Sequence, residues 1–319
     1  MTRQTGLALV LVLWVLSLLT IMAGSFMLGM RREASIVAGA RNNAQAAAIA
    51  ESGIALAEMM LLSPEQNQRW RSDGSIYEIS GTTAKVRVRL LSETGKIDIN
   101  NADQALLQGL MTHAPADAEL QTRLVDAILD WRDEDDLVHL EGAEKKEYRD
   151  AGLNYQPRNK PFQSIEELQL VLGMDEALYK WIEGLVTVYS GQPQVAVEQA
   201  SREVLAVMPG VDAGMVDSYL AARVESAINN LPAPSFPSSP GQNNAAGQNT
   251  VLTLVSEALL DDESSAAVSA VVKPSGGEAG TPPFQVIKWR HAATHDASLF
   301  TDAMSELVVK QYAEPELDN

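Results

Sequence analysis

Residues 7–30 read LALVLVLWVLSLLTIMAGSFMLGM and contain no charged side chain. As an α-helix this segment would be roughly 36 Å long, which is enough to cross a hydrocarbon core of about 30 Å. A cleaved secretory signal is the alternative, but its apolar region is normally about 7–15 residues long and ends at a small-residue cleavage site. Residues 7–30 are longer and run directly into Arg31 and Arg32. We therefore interpret them as a membrane anchor.

The sequence on the carboxyl side of the anchor continues the helix. Residues 33–62 are rich in Ala, Gln, Glu, Met and Leu and contain no proline before Pro64. Such residues have high helix propensity, so the pattern predicts one transmembrane and stalk helix over residues 7–63. Residues 76–80 and 84–91 then alternate between apolar and polar side chains, which predicts a hairpin packed against this helix.

Residues 96–228 change to a helical period. A short phrase recurs in them, namely an apolar pair, a glycine and another amphipathic segment, around Gly109, Gly173 and Gly210. Each copy is typical of two helices joined by a tight glycine turn, and one copy alone cannot bury its apolar face. We expect an inserted all-α domain built from helix-hairpin-helix or SAM-like repeats.

The remaining sequence divides into a loop and a second set of strands. Residues 229–250, NNLPAPSFPSSPGQNNAAGQNT, have no apolar period and predict a loop. Residues 251–319 contain three further strand-like segments. The predicted class is α+β, in which residues 64–95 and 251–319 form one small antiparallel sheet packed on the long helix, and the helical domain is inserted between these two parts.

Composition excludes several function classes. The formal net charge is −18 and the sequence pI is about 4.6, so the field of the protein repels phosphate backbones. No cysteine is present, which excludes disulfides, thiolate metal sites and cysteine nucleophiles. The sequence also lacks a nucleophile elbow, a phosphate-binding glycine loop and a dinucleotide fingerprint. We expect a protein that is not an enzyme and does not bind nucleic acid.

The densest group of charged residues runs from Asp130 to Asp136, with Asp126 one turn earlier and Glu141 and Glu144 after it. Oxygen ligands crowded at a helix-to-loop corner suit Ca²⁺, which takes six to eight of them in loose geometry. The spacing does not match an EF-hand loop. A solvated acidic patch explains the same residues equally well, so both interpretations stay open.

Four segments together resemble type II secretion system protein K, a minor pseudopilin of the GspK type. They are Gly95-Lys96-Ile97-Asp98-Ile99-Asn100, Ile128-Leu129-Asp130-Trp131-Arg132-Asp133-Glu134-Asp135, Gly142-Ala143-Glu144, and Ser164-Ile165-Glu166-Glu167-Leu168 before Gly173. The family's fold is a pilin-like helix and sheet interrupted by a large helical domain. That order agrees with the one predicted from periodicity.

The resemblance implies a processed amino terminus. Family members carry a short basic leader that ends in glycine, which corresponds here to residues 1–6, with prepilin peptidase cleaving between Gly6 and Leu7. Most pilins carry glutamate at the fifth mature position, whereas Leu11 stands there in this chain. A buried carboxylate in lipid is costly unless it is paired. An apolar residue therefore suits a subunit that has no predecessor in the pilus.

The resemblance also implies a location, partners and a cofactor. The implied location is the inner membrane, crossed once by residues 7–30, with the amino terminus cytoplasmic and the body periplasmic. The implied partners are the I-type and J-type minor pseudopilins, the major pseudopilin, prepilin peptidase and the inner-membrane secretion platform. The implied cofactor is structural Ca²⁺, carried over here to Asp133, Asp135, Glu141 and Glu144.

These expectations describe a subunit at the tip of the secretion pseudopilus that supports export of folded proteins across the outer membrane. Two alternatives remain. Helix-hairpin-helix turns bind DNA backbones, which would suit a membrane-anchored DNA receptor, although Asp103, Asp175 and Asp212 flank these turns where such a receptor needs basic residues. The other alternative is the tip adhesin of a type IV pilus.

Overall fold

The structure is a computed structural model that describes residues 5–65, 68–237, 250–275, 280–292 and 298–313. In these ranges the α-helices are α1 Thr5–Leu61, α2 Gln104–Met111, α3 Ala118–Arg132, α4 Lys145–Asp150, α5 Glu176–Ile182, α6 Arg202–Ala206, α7 Ala213–Ile228 and α8 Asp302–Ser305. The strands are β1 Asp73–Ser80, β2 Ala84–Ser92, β3 Ile97–Asp98, β4 Val186–Thr187, β5 Leu252–Leu260, β6 Ser265–Pro274, β7 Phe284–Ala292 and β8 Val308–Ala313. Most of the expected leader and loop, residues 1–4 and 238–249, lie outside the described residues.

The long amino-terminal helix is confirmed as one element, α1. Its side chains from Leu9 to Met30 are exposed. The hydroxyls of Ser17 and Thr20 donate to the carbonyls of Leu13 and Leu16 at 2.8 and 2.7 Å, so these groups need no partner in lipid. Among the described helices, α1 is the one that is long and apolar enough to cross a membrane by length and composition. It fits a single-pass anchor.

The carboxyl-terminal part of α1 packs on the sheet. Ala46, Ala50, Ile54 and Ala57 recur at intervals of three or four residues and are buried, which places them on one face of the helix. Ala50, Ile54 and Ala57 share a core cluster with apolar residues of β2, β5 and β6. The membrane anchor and the segment that packs on the sheet are therefore two halves of one helix.

The sheet has six strands in the order β7-β6-β5-β2-β1-β8. The predicted hairpin is confirmed, because β1 pairs antiparallel with β2, and β5, β6 and β7 continue the antiparallel pairing. The expectation of a wholly antiparallel sheet is wrong, because β8 pairs parallel with β1. The sheet is mixed.

A segment that crosses the sheet explains the direction of β8. Arg87 pairs with Glu78 at 2.7 Å and donates to the carbonyl of Leu299 at 2.8 Å. Glu257 accepts a hydrogen bond from the backbone amide of Leu299. Because β1, β2 and β5 thus hold residues 298–305 on the face away from α1, the chain reaches the edge opposite β7. It enters that edge in the direction of β1.

The inserted domain is confirmed as mostly helical, but the expectation that it is all-α is wrong. Strands β3 and β4 form a short parallel ladder at its root. The core of the insertion is separate from that of the sheet and includes Ile97, Leu107, Leu124, Ile128 and Leu168. Two-residue strands have no periodicity that a sequence could display.

A buried carboxylate joins the insertion to the sheet. Glu93 follows β2 directly and is 2% exposed. It accepts hydrogen bonds from Lys96 at 2.7 Å, from Thr253 on β5 at 2.6 Å, and from Thr187 on β4. Burial alone would raise the pKa of Glu93, but Lys96 and these hydrogen bonds together lower it below its ordinary value.

Two of the three expected glycine turns are present. Gly173 precedes α5 with a φ of +93°, and Gly210 lies between α6 and α7 with a φ of +76°, a conformation that favours glycine. The turn expected at Gly109 is wrong, because Gly109 lies inside α2. A Cβ at Gly109 would approach Pro209 to 2.7 Å, so this glycine allows close packing between two parts of the insertion. The helix-hairpin-helix detail is not confirmed.

The insertion lies at the end of the sheet remote from the membrane segment. Asn42 of α1 contacts Asp262 in the β5–β6 turn, and Ala46 clusters with Ala84 and Leu260. These contacts place the β1–β2 and β5–β6 turns at the membrane-proximal end. Ser92 and Leu252, which pair at the opposite end, are where the chain leaves and re-enters the sheet. The insertion therefore lies at the end of the sheet opposite the membrane segment of α1.

Candidate cation site

Helix α3 carries two carboxylates on its buried side. Asp126 is 4% exposed and Asp130, one turn later, is fully buried. They sit beside Leu124 and Ile128, which belong to the core of the insertion. Buried carboxylates need hydrogen bonds or a cation to offset the loss of hydration. The loop that follows α3 supplies some of these hydrogen bonds.

That loop, residues 133–143, folds back over the end of α3. Asp130 accepts hydrogen bonds from the backbone amides of His139 at 3.1 Å and Ala143 at 2.7 Å, and from the His139 ring nitrogen Nδ1. Asp126 accepts one from the amide of Glu141 at 3.1 Å. Gly142 is required at this point, because a Cβ there would lie 2.0 Å from Asp130 Oδ2.

Two further carboxylates close the site. Glu144 is 6% exposed at the amino terminus of α4, where its side chain and that of Glu147 form a capping box, and its carboxylate oxygens have no other partner among the described residues. Asp133 ends α3, and its Oδ1 is buried and unpaired within the described part of the chain. Buried, unpaired polar atoms are rare in native proteins and call for an explanation. A cation coordinated by these carboxylate oxygens would provide such an explanation.

The pKa values of these groups reflect their burial and the concentration of negative charge. Burial, followed by the charges of Asp130 and Asp133, raises the pKa of Glu144 to about 7. Burial and the neighbouring carboxylates of Asp135 and Asp130 raise the pKa of Asp133 above its ordinary value. The hydrogen bond to Asp130 raises the pKa of His139. These carboxylates and the imidazole therefore hold protons more tightly than free groups, as expected where negative charge is concentrated.

The structure divides the four ligands expected from the sequence. Asp133 and Glu144 lie at the buried cluster. Asp135 is exposed and its Oδ1 accepts a hydrogen bond from the amide of Leu137 at 2.8 Å, although its charge reaches Asp133. Glu141 is exposed and contributes its backbone amide to Asp126. No described contact brings its carboxylate to the cluster.

Two residues outside the expected set belong to the cluster. One ligand atom each from Asp130, Asp133 and His139 lie within 4.8 Å of one another. Asp126 and Asp130 are four residues apart, which puts them on one face of α3 together with apolar residues. That placement of acids on a core-facing stripe is the sequence signal that could have identified Asp130. Nothing in the local sequence marks His139.

The donor set fits a hard divalent cation. Oxygen ligands at about 2.4 Å from a shared Ca²⁺ lie roughly 3–5 Å apart, which is compatible with the spacing of the cluster. Carboxylates dominate it, and such a cation would satisfy the buried Oδ1 of Asp133, which has no partner among the described residues. Such a cation would bind the end of α3 to the start of α4, and its role would be structural.

Residues in and beside the segments compared with helix-hairpin-helix turns have structural roles. The side chain of Asn100 donates to the carbonyl of Phe162 at 2.9 Å and accepts from its amide at 2.7 Å. Asp103, Asp175 and Asp212 cap α2, α5 and α7 through backbone amides. Aspartate caps stabilise helix amino termini, and their charge repels phosphate.

Comparison with known proteins confirms the resemblance to type II secretion system protein K. The family model described as type II secretion system protein K matches residues 84–191, which include the acidic cluster. The protein of that name from Klebsiella pneumoniae is 29% identical over 199 residues, which cover 56% of this chain and 60% of that protein. The one from Dickeya chrysanthemi is 34% identical over 101 residues, covering 32% and 26%. The chain thus spans less than two thirds of either relative.

Two further similarities extend over more of the chain. Type II secretion system protein K of Pseudomonas aeruginosa is 26% identical over 242 residues, covering 69% of this chain and 72% of that protein. A chain in the crystal structure of the GspK-GspI-GspJ complex from the enterotoxigenic Escherichia coli type 2 secretion system has 17% sequence identity and a TM-score of 0.46, covering 83% and 99%.

Proposed function

We propose that this chain is a minor pseudopilin that occupies the tip of a type II secretion pseudopilus and supports export of folded proteins across the outer membrane. The observation that carries the proposal is the position of the insertion. It leaves the sheet between Ser92 and Leu252, at the end remote from the membrane segment of α1. A domain in that position would stop another pilin-like subunit from adding above this one.

The amino terminus supports the same role. Prepilin peptidase would cleave between Gly6 and Leu7, so that Leu11 becomes the fifth mature residue. An apolar side chain there needs no amine from a preceding subunit, whereas a buried carboxylate would. In this arrangement the amino terminus faces the cytoplasm before cleavage and the folded body lies in the periplasm.

The partners follow from this position. The exposed apolar half of α1 would associate in the membrane with the helices of I-type and J-type minor pseudopilins. The major pseudopilin would then be added from below at the inner-membrane secretion platform. In this role the chain is a structural subunit and not an enzyme.

Calcium is the cofactor that we propose for the insertion. Asp130, Asp133 and Glu144 would hold it, with Asp135 and Glu141 at the rim. The bound ion supplies positive charge that neutralises these carboxylates. The chain's own residues do the rest, since Asp130 already orders the loop through the amides of His139 and Ala143.

We favour a secretion subunit over the two alternatives. A DNA receptor would need basic groups at its turns, where this chain has aspartate caps, and a net charge of −18 opposes nucleic acid binding. For a type IV tip adhesin, neither the described residues nor the comparisons offer a specific argument.

Copurification tests the proposal. The full-length chain is expressed in calcium-containing medium with the I-type and J-type minor pseudopilins of its own system, and complexes are isolated from solubilised membranes. A stable ternary complex, with mature protein beginning at Leu7, is the expected result. Recovery of this chain without either partner under calcium-replete conditions would overturn the tip assignment. Mature protein beginning well beyond residue 30 would overturn the anchor.

A further inference from the structure

Helix α1 covers the middle of one face of the sheet and is sealed on one flank. The flank toward β1 and β8 is closed by Trp70, whose ring stacks on Tyr77 at a centroid distance of 4.2 Å. The indole nitrogen of Trp70 also donates to the hydroxyl of Tyr312 at 2.9 Å. Trp70 is 3% exposed and Tyr77 is 5% exposed. On this side the chain buries its own apolar surface.

The opposite flank, formed by edge strand β7, is not closed by any of the described residues in this way. Val286 pairs with Val272 and Trp289 pairs with Ala270, and both partners belong to the core cluster under α1. Because directly paired residues point to the same face of a sheet, Val286 and Trp289 lie on the face that α1 covers. They are nevertheless 48% and 41% exposed. We call these two residues the β7 strip.

Scattered exposed apolar residues are ordinary on protein surfaces, but the β7 strip continues a core. Phe284, next in the same row, is 8% exposed and belongs to the cluster that includes Ala50 and Ile54. One row of one strand therefore passes from a buried phenylalanine to a valine and a tryptophan that no described residue covers fully. The apolar core under α1 therefore extends to β7, where described residues cover it only in part.

The dimensions of the uncovered area suit one helix. Helix α1 packs mainly on β5 and β6. About one and a half strand spacings of 4.8 Å therefore separate the position of α1 from β7, or roughly 7 Å. Packed helices have interaxial distances of about 8–10 Å. A helix that packs beside α1 would therefore lie over the outer side of β7, where it would cover Val286 and Trp289.

We infer that the β7 strip is the seat for the amino-terminal helix of another membrane-anchored, pilin-like subunit. Resting on the proposed function, this inference names the surface through which a partner binds. The apolar half of α1 is exposed over its whole length from Leu9 to Met30. A second anchored helix that runs beside it in the membrane continues along α1 onto the strip. A second copy of this chain is disfavoured, because a net charge of −18 on each copy opposes self-association.

Cysteine cross-linking tests the seat, and the absence of cysteine from this chain makes single substitutions unambiguous. Full-length chains carrying Trp289→Cys or Val286→Cys are coexpressed with an I-type or J-type minor pseudopilin that has one cysteine, moved stepwise along the periplasmic part of its amino-terminal helix. Membranes are then oxidised. We expect disulfides with one of the two partners, with yields that peak every three to four positions, as one face of a helix predicts.

Gln285→Cys is the matched control. Gln285 is exposed on the same strand and pairs with Lys273, which places it on the opposite face. Its yield is expected to be at least tenfold lower than that of Trp289→Cys. Equal yields from Gln285→Cys, or disulfides only between two copies of this chain, would overturn the inference. A complex that still copurifies but forms no disulfides would also overturn the inference, while leaving the proposed function intact. Failure of the unmodified chain to copurify with its partners would overturn both the inference and the proposed function.

Discussion

Oδ2 of Asp130 accepts a hydrogen bond of 2.7 Å from the backbone amide of Ala143. This contact joins the buried end of α3 to the residue that precedes Glu144. It therefore brings three carboxylates, those of Asp130, Asp133 and Glu144, to one place. The repulsion among these groups is the basis of the first two predictions.

Calcium should stabilise the protein through Glu144. Millimolar Ca²⁺ is expected to raise the thermal unfolding midpoint of the purified full-length chain in detergent, with a gain of about 1–3 kcal/mol in unfolding free energy once the site is saturated. Glu144→Gln should abolish this shift because it removes the charge of a buried carboxylate ligand. The matched variant Glu134→Gln, on an exposed residue of the same loop, should keep it. An unchanged unfolding midpoint in the parent chain would rule out a calcium site.

Without calcium the protein should be more stable at pH 5 than at pH 8. The pKa of Glu144 is raised to about 7 in the folded state from an ordinary value of 4.5, so the folded state binds more protons between these values. Its stabilising contribution is present at low pH and is lost as pH rises through 7. The raised pKa values of Asp133 and His139 act in the same direction.

Denaturant unfolding in chelator at several pH values checks this dependence. We expect a loss of about 1–3 kcal/mol between pH 5 and pH 8, and Glu144→Gln should reduce it and stabilise the protein at pH 8. Saturating Ca²⁺ should also flatten the profile, because the ion replaces the protons. Stability that increases over this pH range would contradict the assignment of Glu144.

Gly53→Ala should weaken the contact between α1 and the sheet. A Cβ at Gly53 would lie 2.2 Å from Ser256 Oγ and about 3 Å from Val86 and Val88. Overpacking of this kind costs about 1–3 kcal/mol, measured as a loss of unfolding free energy. Gly39→Ala is the control, because nothing lies within 4 Å of that position. It should be neutral or stabilising by up to about 1 kcal/mol, since alanine favours a helix.

Glu93→Ala should loosen the joint between the sheet and the insertion. It leaves Lys96, Thr187 and Thr253 without their shared acceptor. Removal of one partner from a buried ion pair costs about 3–5 kcal/mol, and the insertion should become more sensitive to limited proteolysis. Glu119→Gln is the control, because its pair with Arg123 is exposed at 3.7 Å and should contribute less than about 1 kcal/mol. Equal effects of the two variants would exclude a special role for Glu93.

The sequence predicted those parts of the fold that have a local period. The single helix α1, the β1–β2 hairpin and the helical insertion between two sets of strands are all confirmed. The glycine phrase located two turns correctly but misplaced the one at Gly109. There the glycine serves a contact with Pro209, about a hundred residues away, and sequence spacing carries no record of such a contact.

The candidate site was predicted as a region and not as a set of ligands. Asp133 and Glu144 lie at the cluster, whereas Asp135 and Glu141 are exposed. Asp130 and His139 were missing from the expected ligands. The sequence shows that carboxylates are dense between residues 126 and 144, but burial and partnership depend on how the loop closes over α3. The backbone amides of His139 and Ala143 make that closure.

By itself, the sequence determined the apolar anchor, the alternation of the strands and the acidic character of one corner. These properties arise from neighbouring residues, because helix and strand periods and the length of an apolar run are local. Tertiary structure alone decided the parallel direction of β8, the burial of Glu144 beside other carboxylates and the exposure of Trp289 at the edge of the core under α1. Each depends on contacts between segments far apart in the chain, where the free energy of burial and pairing, and not local propensity, selects the arrangement.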